Sequence, residues 1–389
     1  MTSADMDPEA HGAPAVLLLD VGQGDASLII LPGTPRRAVV VDCNDAQVVQ
    51  RHLDSYGVAH LEAVVFTHLD LDHIRGGLEL VRAWVTRISN IYVDKDGRCL
   101  DESTSDYQTA KNLLDAIIAV RRRADLPGPE LMPPHRGAVL AAGDGWRVRL
   151  VAPNHAEQLA EDRGGRKRTT NEHSAVVRVE RDHPGGVQAV LIGGDAPLVV
   201  WADLPTKDRR AAVFRTPHHG GALDDGGIPD GWSPASLYDA VAPSDAVLSV
   251  GTTNGHGHPH PDWRAPLVAR AGCHVRCTQV TPACDAALAD ATEAGRRRGQ
   301  VLRTARLAEP PWRHLTPTGR PRRGTTHREV PCAGTVAVAL CADGSVVVRP
   351  QPPDHGLIVD RWAHPWCRAG SPAASAAERD DLLDLLFAP

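Results

Sequence analysis

A chain of 389 residues, 42% hydrophobic and 23% charged, can bury a sizeable core, and its length suggests two or three domains. A formal net charge of −6 argues against a generally basic protein that coats nucleic acid, although bound divalent cations would add positive charge outside this count. No apolar run reaches the roughly eighteen residues of a bilayer span, and no basic-then-apolar leader precedes residue 14. Neither membrane nor export is therefore expected, and the cytoplasm is the expected location.

Residues 1–13 are polar and acidic and are expected to form a disordered lead-in. Three short apolar segments follow, Ala15–Asp20, Ala26–Leu31 and Ala38–Asp42, separated by Gly22-Gln23-Gly24-Asp25 and Pro32-Gly33-Thr34-Pro35. That punctuation predicts an antiparallel meander. A helix is predicted over Ala46–Tyr56, with Val48, Val49, Leu53 and Tyr56 on one face, then a buried strand Ala63–Phe66 and a helix Gly77–Val85. Strands at Ile88–Val93, Val148–Val151, Ala175–Val179, Val187–Ile192, Val213–Thr216 and Ala246–Val250 alternate with helices at Tyr107–Arg123, Ser236–Val241 and Pro261–Ala271. The alternation predicts a layered α/β protein with two stacked sheets.

The chemistry concentrates where strands end. His68-x-Asp70-x-Asp72-His73 places four metal-ligand types within six residues, directly after an apolar strand and before Gly76-Gly77. Side chains at the carboxyl end of a strand emerge at the rim of a sheet, so His68 with Asp70, and Asp72 with His73, can each serve one of two neighbouring cations. Val190–Ile192 runs into Gly193-Gly194-Asp195, and a carboxylate there has the lone pairs to bridge two cations. Val213–Thr216 runs into Pro217-His218-His219-Gly220, and Val247–Val250 precedes Gly257-His258-Pro259.

Taken in order, six motifs resemble the ComEC-type branch of the metallo-β-lactamase superfamily. They are Asp20-Val21-Gly22-Gln23-Gly24-Asp25-Ala26, Thr67-His68-x-Asp70-x-Asp72-His73-x-x-Gly76-Gly77, Asn171-x-x-Ser174, Gly194-Asp195-Ala196, Pro217-His218-His219-Gly220 and Gly257-His258-Pro259. The resemblance spans residues 14–275. It implies an αββα four-layer sandwich carrying a dinuclear site, with His68, Asp70, Asp72, His73 and bridging Asp195 as ligands. One of His218 and His219 is the remaining ligand, and the sequence leaves open which. Asp72, His258 and His219 are the expected catalytic residues. Asn171, Ser174 and Gln23 would face the substrate, and Asp25 would support a ligand histidine from behind. Asp70 stands where the commoner superfamily motif has His, and the usual third-motif His is absent around Asn171–Ser174. An oxygen-richer site makes Mn²⁺ a competitor of Zn²⁺.

Two cations and a bridging hydroxide suit phosphodiester hydrolysis, with His258 or the spare histidine of the pair protonating the leaving oxygen. A free-standing phosphodiesterase or nuclease is therefore the expected activity, with nucleic acid as substrate. A small-molecule ester, lactone or phosphoester hydrolase, or a partner-activated effector, is the alternative.

Beyond residue 275 the pattern changes, and residues 276–389 read as a C-terminal extension. Gly295–Arg328 carries ten Arg, no Lys and one Glu, the composition of a basic linker that can also contact phosphates. Thr335–Leu340 and Ser345–Val348 flank Ala342-Asp343-Gly344 as a hairpin, and Ala377–Phe387 reads as an amphipathic helix. Six of the eight cysteines lie beyond residue 272. Cys277, Cys284, Cys332 and Cys367 are the set expected to hold a structural zinc, whereas Cys341 follows an apolar strand and is expected to be a core thiol.

Overall fold

The computed structural model describes residues 6–94, 102–122, 128–154, 168–251, 256–279, 281–284, 332–351 and Cys367. The Arg-rich segment 295–328, the tail helix Ala377–Phe387 and residues 1–5 lie outside the described residues.

The three-stranded meander forms as the turn residues require: β1 (Ala15–Leu18), β2 (Ala26–Leu31) and β3 (Arg37–Cys43) pair antiparallel. From β3 the connections become right for parallel pairing, because each passes through a helix. Helix α2 (Ala46–Ser55) leads to β4 (His60–Val65), and its amino end is capped by Asp45, which accepts from the N–H groups of Gln47 and Val48 at 2.8 and 3.1 Å. The short α3 (Leu71–Ile74) and α4 (Gly77–Trp84) lead to β5 (Ile88–Tyr92), and α5 (Ser105–Arg121) precedes β6 (Glu130–Met132). Strands β3 to β6 are parallel neighbours.

The second sheet starts antiparallel, with β7 (Val139–Gly143), β8 (Trp146–Ala152), β9 (Val176–His183) and β10 (Gly186–Ile192). It then runs parallel through β11 (Val213–Arg215), β12 (Asp245–Leu248) and β13 (His274–Cys277). Helices α6 (Leu198–Asp203), α7 (Thr206–Arg209), α8 (Pro234–Val241) and α9 (Pro261–Ala269) make these crossovers.

Alternation along each strand divides the core into three layers. Leu17, Leu28, Val40 and Val64 face α2, α4 and α5, where Val49, Trp84 and Leu113 meet them. Val16, Ile29, Val39 and Val65 point the other way, against Val148, Val177 and Val190 of the second sheet. Leu191, Phe214 and Ala246 face Trp201, Leu237 and Leu267 of the remaining helices. Each buried Val or Leu contributes about 1.5–3 kcal/mol. Helices outside two face-to-face sheets give the αββα sandwich.

Two parts of the chain depart from the sequence reading. The lead-in is ordered from residue 6: α1 (Pro8–His11) is capped by Asp7, Met6 and Ala13 are buried, and Arg181 donates to the His11 carbonyl at 2.5 Å. The composition of this stretch hid this because, among residues 6–13, Met6, Pro8 and Ala13 alone are buried. The hairpin β14 (Thr335–Leu340) and β15 (Val346–Gln351) does not stand apart in an extension. Strand β14 pairs antiparallel with β1, Ala15 opposite Ala339, so the first sheet runs β15-β14-β1-β2-β3-β4-β5-β6. A boundary at residue 275 therefore cuts through one sheet. The physical reason is that β1 is buried on both faces and would otherwise leave an apolar edge unpaired.

Candidate metal centre

The carboxyl ends of β3, β4, β10, β11 and β12 meet at one rim of the sandwich, and all the strand-end motifs lie there. After β4 the chain reaches Thr67 and His68, and Asp70 occupies the N-cap position of α3 without its side chain bonding a helix N–H. That leaves its Oδ2 facing His68 Nε2 at 3.6 Å. The turn of α3 then delivers Asp72 and His73. The loop after β1 presses against this turn: Asp25 N donates to the Asp72 carbonyl at 3.0 Å. A Cβ on Gly24, at φ +139°, would lie 2.5 Å from that same carbonyl oxygen, so only glycine fits.

From the second sheet, β10 ends in Gly193-Gly194-Asp195, and Asp195 carries its carboxylate to the centre of the cluster. Ser174 Oγ accepts from Asp195 N at 3.3 Å. After β11, His218 and His219 adopt left-handed backbone at φ 52° and 54°. Two successive non-glycine residues there cost about 1–2 kcal/mol each. The turn fans the two rings apart, with centroids 6.5 Å from each other, so that both reach the cluster.

The four imidazoles are oriented alike. His218 Nδ1 donates to the Ala222 carbonyl at 2.7 Å, and His219 Nδ1 to the Ser249 carbonyl at 2.8 Å. A carbonyl can only accept, so each proton sits on Nδ1 and each Nε2 turns inward. His73 Nδ1 lies 2.8 Å from Asp42 Oδ2. Thr67 Oγ1 donates to that same Asp42 oxygen at 2.8 Å and is 3.1 Å from His68 Nδ1, which it can accept from. Inward, Asp195 Oδ2 is 3.7 Å from His68 Nε2 and 3.9 Å from His218 Nε2. Its Oδ1 is 3.2 Å from His73 Nε2 and 4.0 Å from His219 Nε2. Asp72 Oδ2 is 3.2 Å from His219 Nε2.

His68 Nε2, His73 Nε2 and Asp195 Oδ1 are buried and make no hydrogen bond. Buried polar atoms without partners cost about 1–3 kcal/mol each, so a convergent set needs a ligand that satisfies all of them. His68, His73 and Asp195, and again Asp72, His73 and His219, bring ligand atoms close enough to share a cation. The donor set fits a divalent cation, and the electrostatics agree. Burial alone would raise the carboxyl of Asp195, yet His73, His219 and His68 around it hold it well below the usual range. Burial would lower His219, but Asp25 and Asp195 push it up to about 10. The rim thus demands positive charge from whatever is available.

The remaining residues fall into distinct places. A cleft of about 470 Å³ opens over the cluster, lined by Gln23, Asp70, Asp72, Asp195, His218, His219 and His258, with Arg75, Asp106 and His256 on its walls. Burial, with His219 and His218 beside it, lowers His258 to about 3, so its ring is neutral at physiological pH. Asp25 lies 3.2 Å from His219 Nδ1 and is ion-paired with Arg215. Two residues expected to face a substrate do not do so. Ser174 is fully buried and serves Asp195, and the Asn171 amide donates to Asp225 at 2.8 Å. Neither lines the cleft. Asp42, Thr67 and Ser249 were missed. Asp42 closes a strand with no motif around it, and its partner His73 is 31 residues away. Its one sequence signal is a carboxylate ending an apolar run, as at Asp195.

Residues 19–165 match the family model described as Metallo-beta-lactamase superfamily. That match and the two sheets flanked by helices are consistent with the metallo-β-lactamase sandwich fold. Among solved structures, the chain is similar to human tRNase Z, short form, at 16% identity and a TM-score of 0.36, covering 61% of this chain and 92% of that one. It is similar to Zn²⁺-bound PqqB from Methylobacterium extorquens at 16% identity and a TM-score of 0.38, covering 67% and 97%. A long-form RNase Z from yeast gives 10% identity and a TM-score of 0.37, covering 71% and 41%. At these scores the likenesses assign no activity. No curated protein matches the chain. No helix among the described residues is long and apolar enough to cross a membrane.

Proposed function

We propose that the chain is a metal-dependent hydrolase that uses two divalent cations, Zn²⁺ or Mn²⁺, to cleave phosphodiesters, as a phosphodiesterase or nuclease. The observation that carries this reading is the common orientation of four imidazoles, each anchored through Nδ1 and turned through Nε2 toward Asp195. His68, Asp70 and His218 would surround the cation on the Oδ2 side of Asp195. Asp72, His73 and His219 would surround the one on the Oδ1 side. The choice between His218 and His219 thus becomes a division of labour, with His218 standing in for the absent third-motif histidine.

Bound there, two divalent cations supply Lewis acidity and acidify a water nucleophile. The chain's own residues position and discriminate. Arg75 is the arginine on the cleft wall and offers a bidentate contact to a phosphate oxygen. His258, 5.2 Å ring to ring from His218 and neutral there, is placed to hydrogen-bond a substrate or leaving oxygen through its ring N–H. The walls otherwise carry Asp70, Asp72 and Asp106, which repel a polyanion until cations neutralise them. Substrate binding should therefore depend on prior metal loading. The cleft volume also suits a small ester or lactone, which keeps that class as the second reading. The cytoplasm and a nucleic-acid substrate form part of the same proposal.

The test uses metal-free protein reloaded with Mn²⁺ or Zn²⁺, comparing wild type with Asp72→Ala/His73→Ala. The substrates are bis-p-nitrophenyl phosphate, single- and double-stranded DNA, and a lactone. Cleavage of phosphodiesters by the reloaded wild type alone supports the proposal, and the preferred polymer defines it as nuclease or phosphodiesterase. Turnover of the lactone only would replace it with the second reading. Equal cleavage by both proteins would refute the site.

A further inference from the structure

We propose that Arg215 is a positioning residue of the metal centre, holding Asp25 so that the ring of His219 meets Asp72 at the cation position they share with His73. The proposal rests on the two-cation reading of the rim.

Strand alternation makes Arg215 an anomaly. It ends β11, and its side chain leaves the strand on the same face as Val213, which packs in the layer between the two sheets. Its register partners on the neighbouring strands, Ile192 of β10 and Val247 of β12, belong to that apolar layer as well. An apolar side chain is what this position calls for. Arginine stands there instead and is 1% exposed. A charge buried so deeply is costly unless it is paired, and apolar residues of similar volume often serve a fold as well or better. Holding the sheets together is therefore a poor reason for it.

Its partners lie across that layer. Ser27 is the polar residue on the inward face of β2, beside apolar Ile29 and Leu31, and its Oγ accepts from Arg215 Nη1 at 3.3 Å. Arg215 Nη2 donates to Asp25 Oδ1, and that same oxygen is 3.2 Å from His219 Nδ1. The main chain of Asp25 is tied to the other half of the site. Its N–H donates to the Asp72 carbonyl and its carbonyl accepts from Asn44 N, each at 3.0 Å. Asp25 thus touches both the histidine supplied by the second sheet and the turn that carries the aspartate of the first. Arg215 fixes the side chain that makes the first of these contacts. His219 Nε2 accordingly comes within 3.2 Å of Asp72 Oδ2. On the other side of Asp195, His218 Nδ1 meets the Ala222 carbonyl at 2.7 Å and His68 Nδ1 the Thr67 hydroxyl at 3.1 Å, contacts in which Arg215 has no part. Its influence should therefore fall on one cation position and not on both.

The test is a stepwise Mn²⁺ titration of metal-free full-length protein, read by competition with a chromogenic chelator and by the electron paramagnetic resonance signal of coupled Mn²⁺ pairs. Wild type is compared with Arg215→Met and with Asp25→Asn/Arg215→Met, which removes both buried charges together and leaves neither stranded. Arg215→Met is expected to weaken one of two Mn²⁺ ions by about 10–100-fold and to replace the coupled signal with that of isolated Mn²⁺. The paired variant should show the same loss while the thermal transition of its metal-free form stays close to wild type. Arg215→Lys, which keeps a positive charge beside Asp25, should recover part of the affinity. A paired variant that folds and keeps both affinities and the coupled signal would overturn the proposal, because Arg215 would then serve the fold alone. A wild type that binds Mn²⁺ with no coupled signal would remove the two-cation reading and this inference with it.

Discussion

Two clusters of buried charge in this molecule are satisfied in opposite ways. On the outer face of the second sheet, Glu180 receives Arg178 Nε at 2.6 Å, Arg147 Nε at 2.8 Å and Arg149 Nε at 3.0 Å, and Arg149 continues to Asp208 at 2.6 Å. Arg178 spends its other end on the Arg210 carbonyl, also at 2.6 Å. Every charge there meets an opposite charge or a carbonyl within the chain. At the strand-end rim the groups are equally buried, yet His68 Nε2, His73 Nε2 and Asp195 Oδ1 point at one another without hydrogen bonds. A network that exists to hold the fold satisfies itself, whereas a site that exists to hold something else leaves its inner atoms bare. Behind them, the Nδ1 atoms of His68, His73, His218 and His219 are each bonded, which is how the bare ones are kept in place.

That contrast is broken most severely at Asp195. Asp195→Ala removes the group between the two halves of the rim, and activity on phosphodiesters is expected to fall by about 10³-fold or more. Metal content should fall with it while the thermal transition of the metal-free protein stays close to wild type. Retained metal with retained activity would show that Asp195 is only structural.

In the other cluster the ranking is reversed. Glu180→Ala strands three arginines, one of them buried, and is expected to cost about 3–5 kcal/mol of stability by urea titration, with metal content unchanged. The pH dependence sharpens this case. Burial would raise the Glu180 carboxyl, but Arg149 and Arg178 hold it at about 2, below its ordinary 4.5. Its contribution is therefore complete above about pH 4.5 and disappears as pH falls toward 2. The stability gap between wild type and Glu180→Gln should narrow over that window, and a gap that does not change would exclude the charge as its cause.

A smaller effect is expected one step behind the rim. Asp42→Asn keeps the shape but weakens the anchor of His73, and metal affinity is expected to drop by about 10–100-fold in competition with a chromogenic chelator. An unchanged affinity would mean that Thr67 and the backbone suffice to fix the ring.

The ligand candidates were readable because each follows an apolar strand and precedes glycine. The pattern of His68 to His73 needed nothing beyond local sequence, and the same holds for Gly194-Asp195 and His218-His219. The two substrate-facing expectations that did not hold, Asn171 and Ser174, came from motif order alone, which says that residues are near a site but not which way they point. Asp42 illustrates the converse: it anchors His73 from behind the site and belongs to no motif.

By itself the sequence determined what its periodicity and punctuation dictate locally. It set most of the strands, the longer helices and the strand ends at which His and Asp leave the sheet. Only the tertiary structure decided the partners. The hairpin was visible as a hairpin, but its pairing with β1 depends on which open edge needs cover, a contact spanning more than three hundred residues. Both His218 and His219 reach the cluster because their backbone turns left-handed, a strain that local propensity argues against and only surrounding packing can hold. Side chains converge according to backbone geometry and long-range packing, and neither is written in the spacing of residues along the chain.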